Sequence, residues 1–394
     1  MSPSLISHSL DLRRLRNEGY SLEIRGGYLL VHDVPYVDEA RQVQFGVLIS
    51  PLTLTGDRTT RPVDHVVNFV GSAPCDRNGV RLNQIINQTV DQVLAEGLLS
   101  NHVFSSKPPE GYADYYEKMT SYIRMLSAPA SAINPSVTCT PFRLVGGEDE
   151  ESPFAYLDTA SSRAGIEIIS QKFRGYRVAI VGLGGTGSYV LDLVSKTPVA
   201  EIHLYDGDLF LQHNAFRAPG AATIDTLRRA PLKVAHFSEV YGSMHRGVIP
   251  HGYYLDAENA EELAVFDFVF LALDGGPSKA RLVEMLVRFG VAFVDAGMGL
   301  DLTDGSIGGV LRVTTSSDRN RDDHHEKNRI PFVDGRVDDA YDQNIQVADL
   351  NALSAALAVV KWKKTIGAYR DFEREHHSTF TLDGNQLLNE DLAS

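Results

Sequence analysis

Three glycines, Gly182, Gly184 and Gly187, stand in G-x-G-x-x-G spacing with Gly185 between them, inside the stretch VAIVGLGGTGSYVLDLV. A turn without Cβ atoms, set between a strand pattern and a helix pattern, lets the backbone approach a phosphate. The first amides of the helix then face the anion. Asp206 follows about 20 residues on, where an acidic side chain accepts hydrogen bonds from ribose hydroxyls. Those features alone favour a dinucleotide, and a NAD-dependent oxidoreductase stands as an alternative. The remaining residues favour a triphosphate. YDGDLFLQHNAFR supplies Asp206, Asp208, Asn214 and Arg217, APLKV supplies Lys233, and FLALDGG ends a third strand pattern on Asp274. Cations and carboxylates converging on one sheet edge suit ATP with Mg²⁺, the metal bridging carboxylate and phosphate oxygens. Hydride transfer has no shared role for Arg217, Lys233 and Asp274.

This ordered set (VGLGGTG, YDGD followed by Asn214 and Arg217, then PLK and LD) resembles the ThiF/MoeB/E1 family, the ATP-dependent activators of ubiquitin-like and sulfur-carrier proteins. The likeness covers about 155–315, and NIQVADLNALSAALAVVKWKK is similar to the end of bacterial members. The resemblance implies a Rossmann-like adenylation domain that uses ATP and Mg²⁺. It implies that Gly182, Gly184, Gly185 and Gly187 cradle the nucleotide, that Asp206 holds the ribose with Asp208 beside it, and that Asn214, Arg217 and Lys233 hold the phosphates. Asp274 would hold the metal. Arg163, in SSRAG, would be the arginine such enzymes place across a homodimer interface. The substrate implied is a ubiquitin-like protein in a bacterial conjugation pathway, with an E2-like protein as a further partner. Its C-terminal carboxylate attacks the α-phosphate, pyrophosphate leaves, and Arg217, Lys233 and Asp274 stabilise the charge that develops. A non-catalytic scaffold of the same fold is a third reading, and the complete set of charged residues counts against it.

A typical E1 then transfers the acyl group to a cysteine in a long loop. Residues 140–394 contain no cysteine. Three routes stay open. The adenylate is handed directly to another molecule. Ser316 or Ser317 forms an oxyester, with His324 and His325 near in sequence as bases, because an unassisted hydroxyl is a poor nucleophile. Or Cys75 accepts the group, with His65 and Asn68 ahead of it in HVVNFVGSAPC. Blander roles compete with the last two: Ser-Ser-Asp also caps turns, and a small cysteine also packs in a core.

The elements that must hold these residues follow an α/β pattern. After the acidic, glycine-bearing segment VGGEDEESP, apolar strand patterns alternate with helix patterns, which calls for a mostly parallel sheet covered by helices on both faces. The expected division is a smaller α+β domain over 1–147 and the adenylation domain over 153–394. In the first, GYLLVHDVPYV and QVQFGVLISPL read as strands, a helix is expected near 81–99, and a second helix ends at Ala-Pro in MLSAPA. In the second, helices are expected over 186–196, 230–242 and 277–290, GGVLRVTT reads as a late strand, and a long polar loop spans 316–344. A C-terminal helix buries Val347, Leu350, Leu353, Leu357 and Val360 and keeps Lys361, Lys363 and Lys364 for its last turns. EREHHSTF reads as a tail.

Composition sets outer bounds. The formal charge is -14, which disfavours a nucleic-acid partner. With Cys75 and Cys139 alone, neither a disulfide framework nor a CxxC zinc site is expected. No apolar run suits a membrane span and no secretory pattern opens the chain, so a cytoplasmic location without a membrane partner is expected.

Overall fold

The computed structural model describes residues 2–95, 97–143, 145, 152–156, 158, 160–161, 166–256, 258–320, 323–332 and 345–392. The chain divides into two compact units, Met1–Glu167 and Ile168–Ser394. Among the described residues, no helix is long and apolar enough to cross a membrane.

The N-terminal unit opens with helices α1 (Ser2–His8) and α2 (Leu10–Asn17). Its strands are β1 (Ser21–Arg25), β2 (Tyr28–Val37), β3 (Val43–Pro51), the small hairpin β4 (Leu54–Thr55) and β5 (Arg58–Thr59), β6 (Val66–Val70), β7 (Ile86–Ala95) and β8 (Leu98–Ser105). Six of them form an antiparallel sheet in the order β1-β2-β3-β6-β8-β7. Successive side chains of a strand point to opposite faces. Leu29 and Val31 therefore enter the core under helix α3 (Tyr115–Ile133), while Leu30 joins Ile49 and Leu98 on the other face. Asp114 caps α3 by accepting from Glu117 N at 2.7 Å, and Tyr115, Met119, Tyr122, Ile123 and Leu126 supply its buried stripe.

Two expectations fail in this unit. The helix expected near 81–99 is instead strand β7, turned by Gly97 (φ +67°) into β8. INQTVDQV carries β-branched residues and amides that suit a ladder, and pairing with β8 decides the conformation. The second helix does not end at its proline but runs through Pro129 to Ile133, with Ala130 packed beside Val37 and Cys75. That packing offsets the lost backbone bond.

The C-terminal unit is an eight-stranded sheet. Its strands are β9 (Arg177–Val181), β10 (Glu201–Tyr205), β11 (Val248–His251), β12 (Phe268–Leu271), β13 (Ala292–Thr303), β14 (Ser306–Ser316), β15 (Glu375–Thr381) and β16 (Gln386–Leu392), in the order β11-β10-β9-β12-β13-β14-β15-β16. The first five in that order are parallel, and β14, β15 and β16 are added antiparallel. Helices α4 (Gly185–Val194), α5 (Lys233–Gly242), α6 (Pro277–Phe289) and α7 (Ala348–Thr365) accompany it. Val178 and Ile180 share one core with α4, α5 and α7, and Ala179 and Val181 share another with α6, so β9 is buried on both faces. The strand order reverses direction at β9, because β10 lies on one side and β12 on the other. Ligands bind outside the carboxyl ends of such strands.

The C-terminal segments also depart from expectation. EHHSTFT is not a tail but the interior strand β15, paired on both edges. Helix α7 forms, but Val360 is exposed, while Asn351, Ser354, Ala355, Ala358 and Trp362 are fully buried. Small residues face α4 because they let the two backbones approach, so side-chain size chooses the face as much as hydropathy does. Lys361 is buried rather than solvated. It lies 2.9 Å from Glu375, and Lys364 lies 2.5 Å from the same carboxylate.

Candidate active site

The glycine turn sits at the carboxyl end of β9, at the point where strand order reverses. Gly182 adopts φ +90°, a left-handed conformation that glycine takes without strain. Gly184 caps α4, and Gly185 and Gly187 lie buried in its first turn. Asp206, at the end of β10, is nearly inaccessible. It accepts from Leu183 N at 2.7 Å and from Asp208 N at 2.8 Å, so it is tied to the turn itself. Lys233 opens α5 and points its ammonium at both carboxylates, 3.3 Å from Asp206 and 2.6 Å from Asp208. Tyr254 Oη donates to Asp208 as well. The bonds from Lys233 and then Tyr254 hold the Asp208 carboxyl below its usual range.

Asn214 is buried and uses its side chain locally, accepting from Leu211 N at 2.8 Å. Arg217 N donates to the Asn214 carbonyl at 3.1 Å. Arg217 is half-buried, and its Nε has no acceptor among the described residues.

On its other side the turn borders a cavity of about 370 Å³, lined by Gly184, Gly185, Thr186, Asp274, Lys279 and Arg312 among others. Asp274 is exposed in the loop after β12. The structure thus brings the glycines, Asp206, Asp208 and Lys233 into one bonded group, with Asp274 beside the glycines in the cavity.

Sequence reasoning missed the cavity's floor. Asp295, fully buried on β13, lies 2.5 Å from Lys279 Nζ and 2.7 Å from Arg312 Nη2. Arg312 also donates to Thr314 Oγ1 at 3.2 Å and to the Arg329 carbonyl at 3.0 Å. Two cations share this carboxylate, and Asp274 on the same cavity balances the remaining positive charge. The signal was present, since a charged residue inside the apolar run VAFVDAGM requires a buried partner.

The serines lie elsewhere. Val181 pairs with Leu271, Leu271 with Asp295 and Asp295 with Thr314. Because β14 is antiparallel, it then carries the chain away from the glycine turn, toward the amino-terminal edge of the parallel strands. Ser316 lies there, opposite Phe293, and is fully buried. Ser317 Oγ donates to Asn320 Oδ1 at 2.9 Å within a tight turn. The structure does not bring either serine to the nucleotide residues. His325 is exposed, and Arg163 and the side chain of His324 lie outside the described residues.

Cys75 is fully buried, its thiol is pushed up by that burial, and its Sγ lies 3.4 Å from the Ala73 carbonyl. A buried, protonated thiol is a poor acceptor. His65 bonds Ser105 at 3.0 Å and Asn68 accepts from Gln92 at 3.1 Å, so the three residues belong to separate networks. Among the described residues, no group of three or more His, Cys, Asp or Glu side chains is arranged to hold a metal by itself.

Comparison with known proteins follows this division. Residues 160–374 match the ThiF family, and residues 10–159 match DUF6791, a domain of unknown function. No curated protein matches. Among solved structures, the chain is similar to E. coli MccB with AMPCPP and MccA, at 17% identity over 59% of this chain and 71% of that one, with a TM-score of 0.44. It is similar to PaaA at 16% identity over 57% and 76%, TM-score 0.43. It is also similar to the E. coli tRNA N6-threonylcarbamoyladenosine dehydratase TcdA, at 18% identity over 53% and 93%, TM-score 0.40.

Proposed function

Because this chain belongs to the ThiF family of E1-like adenylating enzymes, we propose that it activates the C-terminal carboxylate of a ubiquitin-like protein as an acyl-adenylate. The observation that carries this reading is the two-sided glycine turn, with Asp206, Asp208 and Lys233 on one flank and the cavity with Asp274 on the other. A carboxylate offers about four lone-pair sites, so Asp206 keeps capacity for a ribose hydroxyl beyond its two backbone donors and Lys233. The Arg217 Nε supplies positive charge for phosphates, and Lys233 would join it by turning from the carboxylates of Asp206 and Asp208. Lys279 and Arg312 are the cavity cations that an incoming carboxylate would meet.

The donor set fits Mg²⁺. Asp274 is an exposed hard oxygen ligand, and this ion is usually held by one or two carboxylates together with substrate phosphates. Bound there, Mg²⁺ would supply charge neutralisation to the phosphates. The reacting carboxylate is already ionised, so no general base is needed. The chain's own part is to align that carboxylate with the α-phosphate and to stabilise the departing pyrophosphate through Arg217 and Lys233.

Direct transfer of the acyl group to another molecule is the route the structure favours, because Ser316 and Cys75 are both fully buried. An E2-like protein is the proposed recipient, and a homodimer contributing Arg163 is the proposed assembly. ATP–pyrophosphate exchange tests the reading, with ubiquitin-like proteins ending in a free carboxylate. Exchange that requires the small protein and is lost in Asp274→Ala is the expected result. Tight NAD binding without exchange would overturn it.

A further inference from the structure

Asn351 lies on α7 in the segment ADLNALSAAL and has no solvent-exposed surface. A buried amide must satisfy its donors and its acceptor on the protein. Asn351 does so across two separate parts of the nucleotide site. The Arg217 carbonyl accepts only, so the amide nitrogen must face it, and Nδ2 lies 3.3 Å away. Oδ1 is left to accept from Thr186 Oγ1 at 3.2 Å, in the first turn of α4. Gly185 makes this approach possible, because a Cβ at that position would fall on the Asn351 amide.

We propose that Asn351 is a positioning residue that fixes Arg217 relative to the phosphate-binding turn. The proposal rests on reading that turn as the ATP site. The Arg217 backbone is held at both ends, its N–H by the Asn214 carbonyl and its C=O by Asn351. Its side chain extends from that anchored peptide with Nε still lacking an acceptor among the described residues. One amide therefore spans the turn that offers phosphate-facing N–H groups and the arginine that offers charge. Its two bonds set the spacing between them.

The test is ATP affinity, with Mg²⁺ present, measured by calorimetry on the full chain. Asn351→Asp keeps the side chain's size but turns an oxygen toward the Arg217 carbonyl, replacing attraction with repulsion. Asn351→Ala removes both bonds and serves as the second variant where the aspartate prevents folding. Each is also made with Arg217→Ala. The expected result is an ATP Kd raised about tenfold by the single substitution, the equivalent of about 1.4 kcal/mol. On the Arg217→Ala background the same substitution is expected to change Kd less than about twofold, because its effect runs through Arg217. A general loosening of the fold would weaken binding equally on both backgrounds. Wild-type affinity in the single variants overturns the proposal, as does a loss that persists undiminished without the Arg217 side chain. A wild-type chain that does not bind ATP overturns the adenylation reading, and this proposal falls with it.

Discussion

Asp295 lies with no solvent exposure between Lys279 and Arg312. Removing one member of a buried ionic group leaves the others uncompensated and costs about 3–5 kcal/mol. Asp295→Ala is therefore expected to lower the unfolding free energy read from a urea titration by that amount, and unchanged stability would mean that water enters the cavity and solvates both cations. Cys75 makes the opposite case. It is buried in the N-terminal unit with its thiol pushed up by burial, so Cys75→Ala is expected to leave acyl transfer unchanged in a single-turnover assay. A lost transfer product would return Cys75 to the mechanism. The residues at the glycine turn were legible because their chemistry is tied to local spacing: Gly182, Asp206 and Lys233 sit where strand ends and helix starts place them. Asp295 signalled a buried partner inside its apolar run, but neither it nor Asn351 was legible as part of the site. Arg312 reaches Asp295 across the β13–β14 hairpin, and Arg217 meets Asn351 only where helix α7 packs over the turn.

The same limit explains the elements. The five parallel strands could be read from short apolar runs, since burial on both faces removes the alternation that would confuse them with surface strands. β15 could not, because its sequence, EHHSTFT, is polar. It is buried through specific pairing, with Glu375 held by Lys361 and Lys364 and His377 bonded to Thr314 at 2.9 Å. Burial alone would raise the Glu375 carboxyl, but the bonds from Lys364 and Lys361 outweigh it and bring the group from 4.5 down to about 2. The unfolded chain takes up this proton first as acid is added, so the pair's stabilisation is complete above pH 4.5 and is lost as pH falls toward 2. Trp362, the chain's single tryptophan, is fully buried on α7 against Phe173 and Phe270 and reports unfolding of the core beneath that helix. Acid titration of its fluorescence should show a transition in that window. Glu375→Gln should lower the stability at pH 7 and flatten its dependence below pH 4.5. An unaltered acid limb in the variant would mean that other carboxylates govern the transition.

Each of the two units encloses its own apolar core. One is built from residues of α1, α2, α3 and the antiparallel sheet, and the other from residues of the eight-stranded sheet and its helices. We propose that they are thermodynamically separate domains. Every residue assigned here to nucleotide binding, from Gly182 to Asp274, belongs to the second unit. A ligand stabilises only the folded state that binds it, by about 2.7 kcal/mol at a hundredfold excess over Kd. Calorimetry of the full chain should therefore show two transitions, and saturating ATP should raise the midpoint of one while leaving the other in place. A fragment spanning 153–394, which keeps Arg163, should melt at the ATP-sensitive midpoint and respond to ATP in the same way. A single transition that moves as a whole would show instead that the N-terminal unit unfolds together with the nucleotide site. In that case, substitutions in its core, such as Tyr122→Ala, would weaken ATP binding near the melting point as well as destabilise their own unit.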